Sequence, residues 1–517
     1  MTSVFYQRAR VVVGTVVLAF SVAAFADVGG RLPATLVRWG MWPQFTPAFL
    51  GMLQGFAWVS AGCLAVLLLT VLFGRVYCAM LCPLGVLMDV SARLARRTGK
   101  KRRLPHHAGN PRLRAAIIVI CAAGLMAGTA LPLAFLDPYS IFGKISAATM
   151  RPLMGEANHL FSAAGWAQPV KWSPVEPPTA AVALVLLAAV CTTAVLRGRL
   201  WCNTLCPVGA VLGFISRHSI FKLEIASSAC ISCTMCERVC PAQCIDSRNH
   251  RIDHSRCIMC LDCVTSCKRN GITMQASRRK DQAPAAAAAP VSQTPAMPMI
   301  GRRLFLAAAA AAPGMALACP ARHPSLDAGR RPRPVLPPGA RSLAHFQSRC
   351  TACHLCVANC PDQVLRPSIT AHGLAGFLQP FQDFDISFCS YNCSNCSQVC
   401  PTGAIEPITV EERRSVRTGV AVLFPDLCVV RTNHTSCGAC SEHCPTQAVH
   451  MVPWKNGLTV PKVRPCLCIG CGGCEFICPV RPHKAIIVDG LAEHERAKPV
   501  RRGAGNLLRE IEAEFPF

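Results

Sequence analysis

Acidic side chains are scarce in this chain of 517 residues: 27 Asp and Glu stand against 53 Lys and Arg, a net charge of +26. Such an imbalance can signal nucleic-acid binding. Here no RNA- or DNA-binding motif accompanies the basic residues, and the mean hydropathy is +0.35. The charge gathers beside apolar runs instead, as the positive-inside rule describes. None of the fifteen histidines falls in the four longest apolar runs, at about residues 9–26, 54–74, 114–136 and 179–196. A transmembrane haem needs histidines on facing helices, so no such haem is held by this chain. The sequence also lacks a G-x-G-x-x-G motif, a phosphate loop and a catalytic triad, which argues against nicotinamide, flavin and hydrolytic chemistry.

Each of the four runs is long enough to cross a bilayer. From Ser91 to Arg114, between the second and third runs, Arg93, Arg96, Arg97, Lys100, Lys101, Arg102, Arg103, Arg112 and Arg114 occur with no acid among them. That loop is predicted to stay in the cytoplasm. The N-terminus and Trp201 then lie inside, and the loops near 27–53 and 137–178 lie outside. With no haem, a mobile quinone pool is the expected redox partner in the membrane. In the second outer loop Asp137-Pro138-Tyr139 follows an apolar run. It reads as a helix exit, with Asp137 or Tyr139 also available to accept a proton from a quinol.

Cysteine, by contrast, is abundant, at 34 residues. In a long chain with repeated C-x2-C-x2-C spacing this implies metal clusters rather than a disulfide scaffold. Cys230, Cys233, Cys236 and Cys240, then Cys257, Cys260, Cys263 and Cys267, follow C-x2-C-x2-C-x3-C, the spacing of two-cluster ferredoxins. In that arrangement the fourth cysteine of each set ligates the other cluster. Cys230, Cys233, Cys236 and Cys267 are therefore assigned to one [4Fe-4S] cluster, and Cys257, Cys260, Cys263 and Cys240 to its partner. A structural zinc site would instead want two separated C-x2-C pairs.

Two C-x3-C-P elements follow the second and fourth apolar runs: Cys78, Cys82 and Pro83, and Cys202, Cys206 and Pro207. A spacing of i, i+4 puts both thiols on one face of a helical turn, and the proline marks a bend or stop. Near-copies at equivalent places point to a shared function. A further metal centre, redox disulfides and a quinol pocket are all open.

An Ala/Pro-rich linker occupies 276–300. Arg302 and Arg303, with Phe305, Leu306 and an alanine-rich run to 319, form a twin-arginine-type export signal or a fifth span. Ala316-x-Ala318 is a candidate cleavage site, with Cys319 after it. From 340 to 491 come four more sets: Cys350, Cys353, Cys356, Cys360; Cys389, Cys393, Cys396, Cys400; Cys428, Cys437, Cys440, Cys444; and Cys468, Cys471, Cys474, Cys478. The second and third are irregular in their first gap. The expected pairing is first with fourth and second with third. Six [4Fe-4S] clusters result, two before the linker and four after it. Residues 492–517 read as a charged tail.

Residues 1–275 resemble the NapH type of membrane quinol dehydrogenase, through the four spans, both C-x3-C-P elements and the two-cluster ferredoxin. Residues 301–491 resemble the NapG type of exported four-cluster ferredoxin, including the Arg302-Arg303-x-Phe305-Leu306 signal. The MauM and MauN type of methylamine oxidation, and counterparts in nitrous oxide reduction, are related. The departure is the fusion of both parts in one chain. The resemblance implies a membrane α-helical bundle of four spans (1–200), a cytoplasmic ferredoxin-like α+β domain (201–275, beginning with the second C-x3-C-P element) and a periplasmic one (340–491) at the bacterial inner membrane. It implies oxidation of quinol, with Cys78, Cys82, Cys202 and Cys206 as reactive residues, and single-electron delivery to a periplasmic cytochrome c or a reductase such as nitrate reductase. Two other readings stand beside it: a maturation factor that reduces the metal site of a periplasmic enzyme, and a thiol redox sensor.

Overall fold

The computed structural model describes residues 2–276, apart from 29, 54–56, 98–108, 167, 169 and 171–174, and residues 333–497. The twin arginines, the candidate cleavage site, Cys319 and nearly all of the linker lie outside the described residues.

The chain begins with α1 (Thr2–Ala26), which carries no acidic residue. Two short helices follow, α2 (Ala34–Met41) and α3 (Phe45–Met52). An internal repeat then sets the architecture. In its first copy α4 (Ala57–Phe73) ends at Gly74, whose φ of +77° suits glycine. Arg75, the short α5 (Tyr77–Met80) and α6 (Pro83–Arg97) complete it. Its second copy is α10 (Pro177–Arg197), Gly198 with φ +60°, Arg199, α11 (Leu200–Thr204) and α12 (Pro207–Ser216). In both copies the proline opens the last helix at its first turn, where a missing N–H costs nothing.

Of the described helices, α1 (from Val4) and α10 are long and apolar enough to cross a membrane. The expected third span, 114–136, is not one helix. It divides into α7 (Pro111–Met126) and α8 (Leu131–Leu136). Gly128, at φ +76°, turns the chain, and Pro132 supplies no N–H to continue it. Asp137 ends α8 and at once caps the next helix, its carboxylate accepting from the Ser140 N–H at 2.8 Å. The expected outer loop is thus largely the 26-residue α9 (Pro138–Ala163). Asp137-Pro138 starts a helix as well as leaving one, because an Asp N-cap followed by Pro at N1 is a strong helix start.

The first ferredoxin module hangs from α12 through β1 (Phe221–Ile225), which pairs antiparallel with β4 (Ile272–Ala276), and encloses the small ribbon β2 (Ile245–Asp246) and β3 (Arg251–Ile252). The second module has two halves. One is built on β5 (Leu365–Pro367) and β6 (Pro380–Gln382). The other contains β7 (Val416–Leu423), β8 (Val449–Pro453), β9 (Thr459–Val463) and β10 (Ile486–Arg496). β8 pairs with β9, and β10 with β7. Val335 and Leu336 are buried in its core, and β10 runs to Arg496, so the module extends beyond 340–491 at both ends. Burial in β10 is concentrated at its start, from Ile486 to Gly490, and its charged last residues hid the strand's length in the sequence.

α1 joins the two modules. Near its start, Gln7 donates to the Leu261 carbonyl at 3.1 Å and Arg10 pairs with Asp262 at 3.0 Å, both in the first module. Near its end, the Asn359 amide of the second module donates to the Ala24 carbonyl at 3.3 Å. From Gln7 to Ala24 the helix rises about 25 Å. The modules therefore sit at opposite ends of the bundle. The second also rests on α8 and the turn before it, through Ala130 N–H to Gln347 O at 3.2 Å and the Phe135–Phe377 ring pair.

Gly472, at φ +80°, brings its Cα against the Phe384 ring, where a Cβ would overlap ring carbons. Gly472→Ala is expected to cost roughly 1–3 kcal/mol through overpacking and left-handed strain. In calorimetry the second module's transition should fall by several degrees; an unchanged transition would mean that the Phe384 ring moves aside freely.

Candidate metal centres at the cysteine sets

The four thiols of the two C-x3-C-P elements meet in one place. Cys78, Cys82, Cys202 and Cys206 are each buried and within electrostatic reach of one another. The repeat explains the meeting, for each copy delivers its first cysteine on a short helix, its second just beyond it, and clasps the other copy. Arg75 donates to the Cys202 carbonyl at 3.1 Å, and Arg199 donates to the Cys78 carbonyl. The second cysteine of each element caps the helix its proline starts: the Gly85 N–H points at Cys82 Sγ at 3.4 Å and the Gly209 N–H at Cys206 Sγ at 3.2 Å. Two helix N-termini thus direct positive potential at the quartet. Burial pushes the Cys82 and Cys206 thiols well up and raises Cys202 to about 11.

The two arginines differ. Arg199 is compensated by Asp89 through a bidentate pair at 2.9 and 2.7 Å. Burial would raise the Asp89 carboxyl, but Arg199 outweighs it and holds Asp89 below its ordinary value. Arg75 is fully buried and bonds to Asn203, the Ser255 and Cys202 carbonyls and Cys78 Sγ, with its Nε–H unpartnered. No carboxylate is among these partners.

Each ferredoxin set forms a cradle of backbone. In the four regular sets the residues on either side of the middle cysteine hold positive φ: Ser232 and Thr234, Met259 and Leu261, Ala352 and His354, Gly470 and Gly472. Such turns aim successive N–H groups into one concavity, which suits an anionic cluster. The irregular sets lack this pair. Amide donors also face the last cysteine of several sets, with Gly271 N–H on Cys267, Ile405 N–H on Cys400 and Ala448 N–H on Cys444 at 3.2–3.4 Å. Among the described residues no three Cys, His, Asp or Glu side chains crowd closely enough for a single metal ion. Around one tetrahedral zinc, thiolates would lie about 2.3 Å from the metal. All-thiolate donors in sets of four, with amide N–H groups for the cluster sulfurs, are the chemistry that suits a cubane.

The structure groups Cys230, Cys233, Cys236 and Cys267 around one cleft, and Cys257, Cys263 and Cys260 with Cys240. In the second module the expected pairing of first with fourth set and second with third is overturned. Cys400 of the second set faces Cys350, Cys353 and Cys356, and Cys360 of the first faces Cys389 and Cys396. Likewise Cys478 joins Cys428, Cys437 and Cys440, while Cys444 joins Cys468, Cys471 and Cys474. Neighbouring sets pair because a short ribbon, β5–β6 or β8–β9, folds each back on the next. The two pairs are coupled through the Cys389 N–H to Cys471 O bond at 2.9 Å and through buried Arg413, which donates to Cys389 Sγ at 3.3 Å.

Sequence spacing missed three participants. Cys244 lies against Cys240 at 3.6 Å and beside Cys257. Arg75 and Arg413 are isolated arginines in the sequence; the Gly-Arg that precedes both C-x3-C-P elements was the available signal for Arg75.

A family described as a 4Fe-4S binding domain matches twice, at residues 54–102 and 179–225, the two copies of the repeat. The methylamine utilization ferredoxin-type protein MauM of Methylobacillus flagellatus is 32% identical over 159 residues, 29% of this chain and 67% of MauM. The chain belongs to the MauM and NapH family of ferredoxin-type proteins. The ferredoxin-type protein NapH of Haemophilus influenzae is 28% identical over 207 residues, 40% of this chain and 61% of NapH. The putative electron transport protein YccM of Escherichia coli is 25% identical over 209 residues, 39% of this chain and 51% of YccM. The chain thus spans about half of YccM and under two thirds of NapH. No solved structure matches. Family membership makes this an iron–sulfur electron-transfer protein.

Two outcomes follow for this family member. Cys400→Ser should alter the EPR signal of the cluster held by Cys350, Cys353 and Cys356 and spare the others; an altered signal of the cluster at Cys428, Cys437 and Cys440 instead would restore the pairing of the second set with the third. Asp89→Asn should leave Arg199 charged and uncompensated, at a cost of about 3–5 kcal/mol, read as a lower denaturation midpoint. Because folding depresses the Asp89 carboxyl, the stability it lends is present above the ordinary carboxylate range and is lost as pH falls through its folded value. Asp89→Asn should therefore shallow the acid limb of the pH–stability curve.

Proposed function

We propose that this protein oxidises quinol in the inner membrane and passes electrons one at a time to a periplasmic redox partner, a cytochrome c or a reductase such as nitrate reductase. The observation that carries the proposal is an apolar cleft between the bundle and the second module. Arg38, Met41, Trp42, Pro47, Ala48 and Gly51 form one wall, and Val399, Cys400 and Pro401 the other. Its lining is mainly apolar, as that of small-molecule sites is, and Cys400 is one of the thiols of the cradle at Cys350, Cys353 and Cys356. Quinol entering from the bilayer would thus meet a cluster ligand directly.

Oxidation of one quinol releases two protons and two electrons. Behind the cleft, Thr46 donates to Asp137, which also accepts from the Ser140 hydroxyl at 2.8 Å, while Lys144 bonds the Ala134 carbonyl. Asp137 is the proton acceptor in this reading, and the Tyr139 hydroxyl, buried and without a partner, serves only as a relay that gives up one proton as it takes another. When bound, the [4Fe-4S] clusters supply one-electron chemistry. The chain's part is to space the sites, charge their surroundings and exclude water.

The topology belongs to the same proposal: four membrane crossings, the first module cytoplasmic and the second periplasmic, at opposite ends of α1. Cys233 is exposed at one extreme of the series of sites, and Cys437 and Cys440 are half-buried at the other, which gives each extreme access to a soluble partner.

Adding menaquinol or ubiquinol anaerobically to the detergent-purified protein should produce the EPR signal of reduced clusters within the mixing time. Gly51→Phe, which fills the cleft, should slow that reduction at least tenfold while dithionite still reduces fully. Clusters that ignore quinol yet accept electrons from dithionite would replace this reading with the maturation role.

A further inference from the structure

We propose that Cys78, Cys82, Cys202 and Cys206 together hold one iron–sulfur cluster, shared between the two copies of the repeat, which carries electrons between the two ferredoxin modules. Neither copy has four ligands at one place; the pair brings four cysteines into one buried core.

Charge decides between this and the other uses of four thiols. Arg75 is sealed from solvent, its Nε–H has no partner, and no carboxylate is among its contacts. Leaving a buried charge uncompensated costs several kcal/mol. Disulfides within the quartet would be neutral and would leave that cost in place, as would neutral thiols. A cluster on four thiolates carries net negative charge, and Arg75 stands beside Cys78, Cys202 and Cys206 to balance it. The N-termini of α6 and α12 add to the same side of the balance. Asp89 already neutralises Arg199, which leaves Arg199 to strap the copies together.

The quartet also lies between the modules. On one side, the Arg199 N–H bonds the Pro241 carbonyl at 2.9 Å, next to Cys240, and the Asn203 amide bonds the Ala242 carbonyl at 3.0 Å. Cys260 shares one apolar core with all four cysteines. On the other side, Tyr77 lies beside Cys82 and donates to Gln44 at 3.0 Å, and the Phe45 N–H bonds the Tyr77 oxygen at 3.3 Å. Thr46 then reaches Asp137, and Asp137, Tyr139 and Lys144 surround Cys353. Each transfer moves one electron from the neighbouring site on one side to that on the other. The centre becomes one unit more negative and then returns, and no covalent bond forms or breaks.

Iron and acid-labile sulfide counted on the full, reconstituted chain test the site without quinol, so this result and the quinol result can fail separately. Six cubanes account for about 24 irons and a seventh brings the count to about 28. The quadruple Cys→Ser variant at these four positions should lose about four irons and four sulfides and keep the rest. A wild-type count of about 24, or a variant count equal to wild type, would overturn the proposal. So would loss of one iron without sulfide. The wild-type count stands even if the variant fails to fold. Arg75→Met should retain the iron and favour the oxidised state of one cluster at least tenfold at fixed potential, about 59 mV for one electron. An EPR-monitored redox titration in which no cluster shifts would remove Arg75 from that role.

Discussion

Buried positive charge that needs an anion is the constraint on which the centre of this molecule depends. Arg75 and Arg199 lie sealed where the two copies of the repeat cross, each bonded to the backbone of the other copy. One guanidinium is answered by Asp89, the other by sulfur. Because each arginine reaches across, neither copy can rotate or withdraw without exposing an unsatisfied cation to apolar surroundings. The four thiols are held together by the same bonds that hold the bundle together.

From that centre the rest of the architecture follows. The first ferredoxin module is fixed to the quartet's inner face through backbone bonds at Pro241 and Ala242, and to the start of α1 through Gln7 and Arg10. The second module is fixed to the far end of α1 and to the capped start of α9. Its own four sets pair as neighbours, and buried Arg413 repeats at the junction between pairs the arrangement seen at the quartet: a cation with few oxygen partners, directed at cysteine sulfur. Hydrogen bonds and charges near cluster sulfurs tune potential, so these two arginines sit where potential can be adjusted. His354, next to Cys353, is driven down to about 3 by burial and the Lys144 cation and stays neutral.

The regular cysteine sets were legible because their spacing is a local property. Three thiols within seven residues must share one centre, and positive φ on both sides of the middle cysteine follows from closing so tight a loop. The apolar runs of α1 and α10 were equally plain. The run at 114–136 misled because hydropathy does not register the turn that Gly128 and Pro132 impose. Asp137-Pro138 has one sequence signature for leaving a helix and for beginning one.

By itself the sequence determined the chemistry: sulfur ligands in sets of four, no haem histidines within the apolar runs, and two matched C-x3-C-P elements. These are matters of residue type and short spacing. Tertiary structure alone decided which set lends its last cysteine to which, that the two C-x3-C-P elements form one quartet, and that an apolar cleft opens beside Cys400. Each of those depends on contacts between residues distant along the chain, where loop lengths permit several pairings. Packing, and the cost of leaving Arg75 or Arg413 without a counter-charge, selects among them.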